Sequence, residues 1–205
     1  TVAKAMALAR SILGDESLRR RTYMHAHGTG TPQNRVTESH IMSELARTFG
    51  VERWLIAAVK AYVGHSLSPA AGDQLVAALG AFAHGVIPGI RTIDHVAEDV
   101  HRDRLEFPLD HVEVGATGMD AAFLNSKGFG GNNATALVLG PDATLQMLAR
   151  RHGQSPLHDW RSQAEQTRSA AGTYDERRRR GEARRRYVFG EGVLEGNDLT
   201  LTDQS

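Results

Sequence analysis

Three short segments hold most of the residues able to do chemistry: HGTGT at 27–31, KAYVGH at 60–65 and GFGG at 128–131. They bring two imidazoles, an ammonium, two threonine hydroxyls and a phenylalanine framed by glycines. Each segment lies at the C-terminal end of an expected strand or in the loop beyond it, the edge of an open α/β sheet where ligands bind. Taken singly the signals are weak. A lone histidine is more often a structural hydrogen-bonder, a lysine is usually a solvated charge, and glycine turns occur in every fold. Their joint order is what carries information. The chain of 205 residues contains no cysteine, which excludes disulfides, thiolate metal sites and a thiol nucleophile within it.

The elements that must position these segments follow from periodicity and breakers. Residues 2–13, VAKAMALARSIL, predict a helix of strong helix formers. RTYMHAHG then reads as a short strand ending at Gly28, and GTGTP must be a loop, because two glycines and a proline do not fit a regular element. Thr37 to Phe49 has helical spacing of Ile41, Met42, Leu45 and Phe49, with Gly50 as its C-cap. WLIAAVK at 54–60 reads as a buried strand, and an alanine-rich helix follows to about His84. Residues 91–110 look polar and irregular. Runs at His111–Val114 and Ala121–Asn125, then KGFGGNNA and a strand at Ala134–Leu139, predict an antiparallel hairpin in the core of the sheet. Repeated strand, loop, helix units are the pattern of a layered α/β fold. Gly140–Pro141 closes this module, so residues 1–141 are expected as one domain and 142–205 as an arginine-rich extension that opens with a helix near 142–152.

Composition excludes some classes. Hydrophobic content of 40% and 21 glycines suit a globular α/β protein, and the formal net charge is zero, so nothing global points to nucleic acid or membrane. The most apolar stretch, Leu75 to Ile90, is short and interrupted by His84, Pro88 and glycines, too broken to span a bilayer. No secretion signal is recognisable, and a cytoplasmic location is expected. The chain starts at Thr1 in what already reads as a helix, so an upstream segment, or a second polypeptide, is expected to precede it.

Together, and in order, the three motifs resemble the second half of the β-ketoacyl-acyl-carrier-protein synthases, condensing enzymes of the thiolase-like fold, over about residues 2–140. In that family the first motif has the form HGTxT with a glutamate eleven positions after its histidine, here His27 and Glu38. The second has a lysine five positions before the histidine of a Gly-His pair, here Lys60, Gly64 and His65, and the third is the glycine-flanked Phe129. The resemblance implies the C-terminal half of a five-layer αβαβα core, usually dimerised. It implies decarboxylative Claisen condensation of malonyl-ACP with an acyl-CoA or acyl-ACP primer, in fatty-acid or polyketide synthesis. His27 and His65 would each present an N–H to the thioester oxyanion. Lys60 and Glu38 would form a buried ion pair fixing the second histidine's surroundings. Thr29 and Thr31 would hold the phosphopantetheine arm. Phe129 would gate the acyl pocket, with Gly128, Gly130 and Gly131 letting its loop move and approach the ligand. No metal and no cofactor are implied beyond the phosphopantetheine on the acyl carrier protein.

The departures from the pattern carry equal weight. Asn34–Arg35 stand where the family usually has Gly-Asp, and Lys127 stands where an aromatic or small residue precedes the gate. The nucleophilic cysteine is absent, so the chain is expected to be inactive without an N-terminal ketosynthase half. Half a core also leaves an apolar face uncovered. A noncatalytic partner of chain-length-factor type is the alternative, but such relatives tend to lose the active-site groups that this chain retains.

The tail is distinct: 11 of the 24 basic residues fall between Arg150 and Arg186, accompanied by five acids. Residues 174–186, YDERRRRGEARRR, read as a solvated extension or a basic helix broken near Gly181. As a docking patch it would suit an acidic carrier protein or a CoA phosphate. Nucleic-acid binding fits worse, since no base-reading module accompanies it. YVFGEGVL at 187–194 reads as a strand, and the tail slightly resembles the extension of divergent bacterial ketosynthases that start chains from acetyl-CoA.

Overall fold

The computed structural model describes residues 1–182 and 189–193. Its body is a sheet of five strands with helices on both faces. The helices α1 (Val2–Leu13) and α2 (Asp15–Arg20) lead into β1 (Thr22–His25). The helix α3 (Pro32–Phe49), β2 (Trp54–Ala57), a short α4 (Lys60–Val63) and α5 (Ala70–His84) follow. Two-residue strands β3 (Val86–Ile87), β4 (Leu105–Glu106) and β5 (Val112–Glu113) precede the hairpin β6 (Ala121–Lys127) and β7 (Asn133–Leu139). The helix α6 (Pro141–His152) continues from the hairpin.

Strand order in the main sheet is β4-β2-β1-β6-β7. The first four are mutually parallel, with Tyr23 opposite Leu55 and Ala122, and β7 returns antiparallel to β6. Because β1 is central, the loops that leave β2, β1 and β6 stand side by side on one edge, and these are the three motif loops. The hairpin is therefore antiparallel as expected but lies at the edge of the sheet, with β7 outermost. The other edge is β4, within the segment that reads as irregular: two residues are too few for a periodic signal. The pair β3–β5 forms a separate antiparallel ribbon.

Alternation along the strands sorts the side chains into two cores. Met24, Trp54, Ile56 and Phe123 face α1, α2 and α3, where Met6, Ala9, Leu18, Met42 and Ala46 close a continuous apolar cluster. Tyr23, Leu55, Ala57, Ala122 and Leu124 face the other way onto Ala78, Ala81 and Phe82 of α5. The result is three layers, helix on sheet on helix. The outward face of α5 is apolar too: Leu75, Val76 and Leu79 are exposed, and Gly72 and Ala83 extend the same stripe at helical spacing. An uncovered apolar face was expected of half a core, and α5 supplies it.

The helix α1 has the expected bounds, and α3 ends at Gly50, which adopts a left-handed conformation (φ 71°) and donates its N–H to Ala46 and Arg47 carbonyls. It begins earlier than its apolar spacing shows, because Pro32 occupies the first turn, where a missing N–H costs nothing. The strand expected over 54–60 ends at Ala57, and Lys60 opens α4 instead. The segment 91–104 is strapped across α3: Arg35 makes a two-bond pair with Asp99 (2.8 and 2.9 Å), Arg47 pairs with Asp103 (2.8 Å), and Ser43 donates to the Asp103 carbonyl (2.9 Å).

The chain divides into compact units at Arg151, so α6 groups with the sheet rather than starting the extension at 142. The second unit begins with α7 (Gln154–Arg179), one continuous helix of 26 residues whose last turn is Arg177, Arg178 and Arg179. It stops just before Gly181, which has φ 75°. The proposed strand at 187–194 and the arginines at 184–186 lie outside the described residues, apart from 189–193, which form turns and bends.

His25 is the one ionisable imidazole sealed in the core, with no exposure, its Nε2 against the Tyr23 hydroxyl (3.3 Å) and its Nδ1 without a partner. Desolvation lowers its pKa to about 4. A depressed folded-state value means that the unfolded chain binds the extra proton first, so stability is full above pH 6.5 and falls as the pH drops toward 4. The span corresponds to roughly 3 kcal/mol. Urea unfolding at pH 7.5 and pH 5 is expected to show a larger loss for the native chain than for His25→Leu, and equal losses would refute this role of the imidazole.

Candidate active site

β1 ends at His25, and after Ala26 the chain turns at His27-Gly28 under the control of Glu38, nearly two turns inside α3. The Glu38 carboxylate is 4% exposed and accepts four hydrogen bonds. They come from the backbone N–H of His27 (2.8 Å) and of Gly28 (3.1 Å), from Asn34 Nδ2 (3.0 Å) and from Asn125 Nδ2 (2.7 Å). Lys60, which opens α4 just beyond β2, donates from Nζ to the His27 carbonyl (2.6 Å). The peptide groups on both sides of His27 are thus held by opposite charges. Burial lowers the Lys60 pKa and Glu38 partly offsets this, but the two side chains, both among the described residues, are not in ion-pair contact. The expectation of a buried pair around the second histidine is corrected: the two charges grip the backbone of the first, because each finds a nearer peptide partner.

The rings of His27 and His65 lie nearly perpendicular (82°) with centroids 5.4 Å apart. Each Nδ1 accepts a backbone N–H, that of Lys127 for His27 (3.2 Å) and that of Leu67 for His65 (3.0 Å). A nitrogen that accepts carries no proton, so both rings are neutral tautomers with the proton on Nε2. Desolvation is the main cause that lowers the His27 pKa, followed by the Lys60 charge, with smaller contributions from His65 and Lys127 against an opposing one from Glu38. Leu67 achieves its bond in a left-handed conformation (φ 64°), which costs a leucine about 1 kcal/mol or more. Backbone strain is therefore spent on aiming an imidazole.

Both histidines border a cavity of about 480 Å³ with Lys127, Gly128, Asn132 and Asn133. A second cavity of about 560 Å³ lies beneath the 91–104 strap, between Met42, Ile56, Ile93 and Val96, and reaches Thr29, Lys60 and His65. The first has the chemistry, since only it holds both rings; the second is largely apolar. Thr29 is half-buried and Thr31 exposed, and their hydroxyls bond each other (3.2 Å). Phe129 stands out from the third loop at 99% exposure, in a short 3-10 turn. Gly128 donates its N–H to the Asn132 carbonyl (2.6 Å), while Gly130 and Gly131 take φ of 73° and 82°. The candidate residues from three separated segments are thus gathered at one edge. Among the described residues no group of three or more histidine, cysteine, aspartate or glutamate side chains is placed to hold a metal, and no helix is long and apolar enough to cross a membrane.

Three amides were given no role in the sequence reading. Asn125 bonds Glu38, Asn34 bonds Glu38 from α3, and Gln74 of α5 donates to the carbonyls of Ala26 (2.9 Å) and Asn125 (3.0 Å). Asn125 had a usable signal, being a polar residue at the end of an otherwise apolar strand just before the glycine loop.

Residues 3–94, which carry the first two motifs, match the family model of the β-ketoacyl synthase C-terminal domain. Over 202 residues, 98% of the chain, it is 47% identical to the β-ketoacyl-[acyl-carrier-protein] synthase FabY of Pseudomonas aeruginosa. This chain belongs to the β-ketoacyl synthase family. It is also 36% identical over 139 residues to 3-oxoacyl-[acyl-carrier-protein] synthase 2 of Synechocystis, covering 66% of the chain and 30% of that protein. The crystal structure of the noncanonical ketosynthase FabY from P. aeruginosa superimposes with a TM-score of 0.87 at 45% identity, over 99% of this chain and 32% of that one. The thiolase-like fold expected of the family is therefore present. The domain spans about a third of the length of these synthases.

If Glu38 organises the loop as its bonds indicate, Glu38→Ala is expected to lower stability by about 3 kcal/mol or more in urea unfolding, since it strands buried donors. In nitrogen-15 histidine spectra of the native chain at neutral pH, His27 and His65 are both expected as Nε2–H tautomers. An Nδ1–H signal from either would contradict the site geometry.

Proposed function

We propose that this chain is the decarboxylating half of a β-ketoacyl-acyl-carrier-protein synthase. The observation that carries the proposal is the pair of crossed imidazoles, both fixed as Nε2–H donors beside one cavity. Such donors match the charge that develops when a malonyl thioester loses carbon dioxide. The bond from the α-carbon to the carboxylate breaks, its electron pair passes into the enolate, and the thioester oxygen takes the negative charge. Neutral rings suit this role, because they donate without themselves being consumed as acids.

The α-carbon then attacks the carbonyl of an acyl group held on a cysteine, and the thiolate leaves. That thiol belongs to an N-terminal half, which the apolar stripe of α5 fits as a packing surface. The substrates would be malonyl-ACP and an acyl-CoA or acyl-ACP primer, in fatty-acid or polyketide synthesis. Thr29 and Thr31, on the loop after β1, would receive the phosphopantetheine arm, and Phe129 would close over the acyl group once the pocket is complete. The full enzyme would act as a cytoplasmic dimer. A noncatalytic, chain-length-factor role is disfavoured by retention of both histidines, Lys60 and Glu38.

The test is carbon dioxide release from malonyl-ACP by the assembled enzyme, with the cysteine-bearing half present. His27→Ala and His65→Ala are each expected to slow release by about a hundredfold to a thousandfold, as for loss of one oxyanion donor elsewhere. Transfer of the primer onto the cysteine should persist. Release at the native rate in both variants would sink the assignment.

A further inference from the structure

Two residues that depart from the family pattern, Asn34 and Lys127, touch each other. Lys127 is the last residue of β6, immediately before the glycine-flanked Phe129. Its Nζ donates to Asn34 Oδ1 (2.9 Å) and lies 3.5 Å from Thr37 Oγ1, both on α3, while its backbone N–H donates to His27 Nδ1. Asn34 in turn donates to Glu38. The side-chain partners of this ammonium, among the described residues, are neutral. One residue therefore joins the stem of the third loop, the first turns of α3 and the ring of His27.

The loop beyond it is built to move. Gly130 and Gly131 sit in left-handed conformations with open space where a side chain would be, and Phe129 is exposed. The Gly128–Asn132 bond closes the loop on itself above the β6–β7 ladder, and the Lys127 side chain ties its stem to α3. A hydrogen bond from a charged donor contributes more than one from a neutral donor, so the tie bears on the loop's opening equilibrium.

We propose that Lys127 is a positioning residue that pins the stem of the Phe129 loop to α3 through Asn34 and keeps the His27 ring turned with its Nε2–H toward substrate. This rests on the decarboxylating-site reading for its purpose, but its test needs no turnover, so the two can fail separately. Its charge also lies among the causes that hold the His27 pKa down.

Amide hydrogen exchange and nitrogen-15 histidine spectra of the native chain supply the test. In Lys127→Met the amides of residues 128–131 are expected to exchange about tenfold faster, the gain from losing roughly 1.4 kcal/mol of restraint, while α1 amides keep their rates. His27 should titrate at a higher pH than in the native chain. Lys127→Arg, which keeps the charge and the reach, should restore both readouts. Asn34→Ala cuts the same bond from the α3 side and should reproduce the faster loop exchange, so the outcome is readable even if Lys127→Met does not fold. Loop exchange at the native rate in Asn34→Ala and Lys127→Met, or in Asn34→Ala alone where the lysine variant does not fold, would overturn the proposal.

Discussion

The Glu38 carboxylate is the constraint on which the site depends. An ionised carboxylate withdrawn from water is tolerated only when its acceptor positions are filled, and here four donors fill them. Those donors come from the loop after β1, from α3 and from β6. Lys60 adds the start of α4, just beyond β2, through the His27 carbonyl. One buried charge, with one opposite charge nearby, thus cross-ties the ends of three parallel strands. Hydrophobic burial on the two faces of the sheet brings those ends to a common edge, but burial is non-directional and cannot choose how a peptide or a ring is turned. Directional bonds make that choice, and they converge on His27.

The same division explains what could be read from the chain. Elements whose signal is local and periodic were legible: α1, the body of α3 with its Gly50 cap, β1, β2 and the β6–β7 hairpin. So were His27, Glu38, Lys60 and His65, whose separations survive as plain spacing. Pairing partners were not. The family resemblance implied that Lys60 and Glu38 belong together but not that each would prefer a peptide group of His27 to the other's charge. The two-residue β4 earns its place only by pairing with Trp54 and Leu55, a contact from far along the chain. Asn125 and Gln74 act through amides that have no periodicity, and the tautomers depend on backbone N–H groups of Lys127 and Leu67, which no residue type encodes.

The exposed parts of the site and the exposed face of α5 have one cause. His65 is exposed and Phe129 nearly wholly so, while α5 turns Leu75, Val76 and Leu79 outward beside them in the chain. Oxyanion donors are effective where water is excluded and the local dielectric is low, and lose most of their advantage in open solvent. On the proposed reading, donors aligned at the cost of a strained Leu67 but still open to water await a partner surface that would cover them.

That organisation also makes sense of the missing cysteine. Condensation needs a nucleophile that is first a thiolate and then an acyl carrier, whereas decarboxylation needs only donors for a developing oxyanion. The two demands differ in their electrostatics: neutral imidazoles already hold their protons on Nε2 here, stabilised by backbone donors that belong to this chain alone. On the proposed reading, the donor set can therefore be fully built without the thiol, and the thiol can be delivered by another half without disturbing it. On the same reading, the apolar stripe of α5, the helix that follows His65 in the chain, is the surface through which that half would pack.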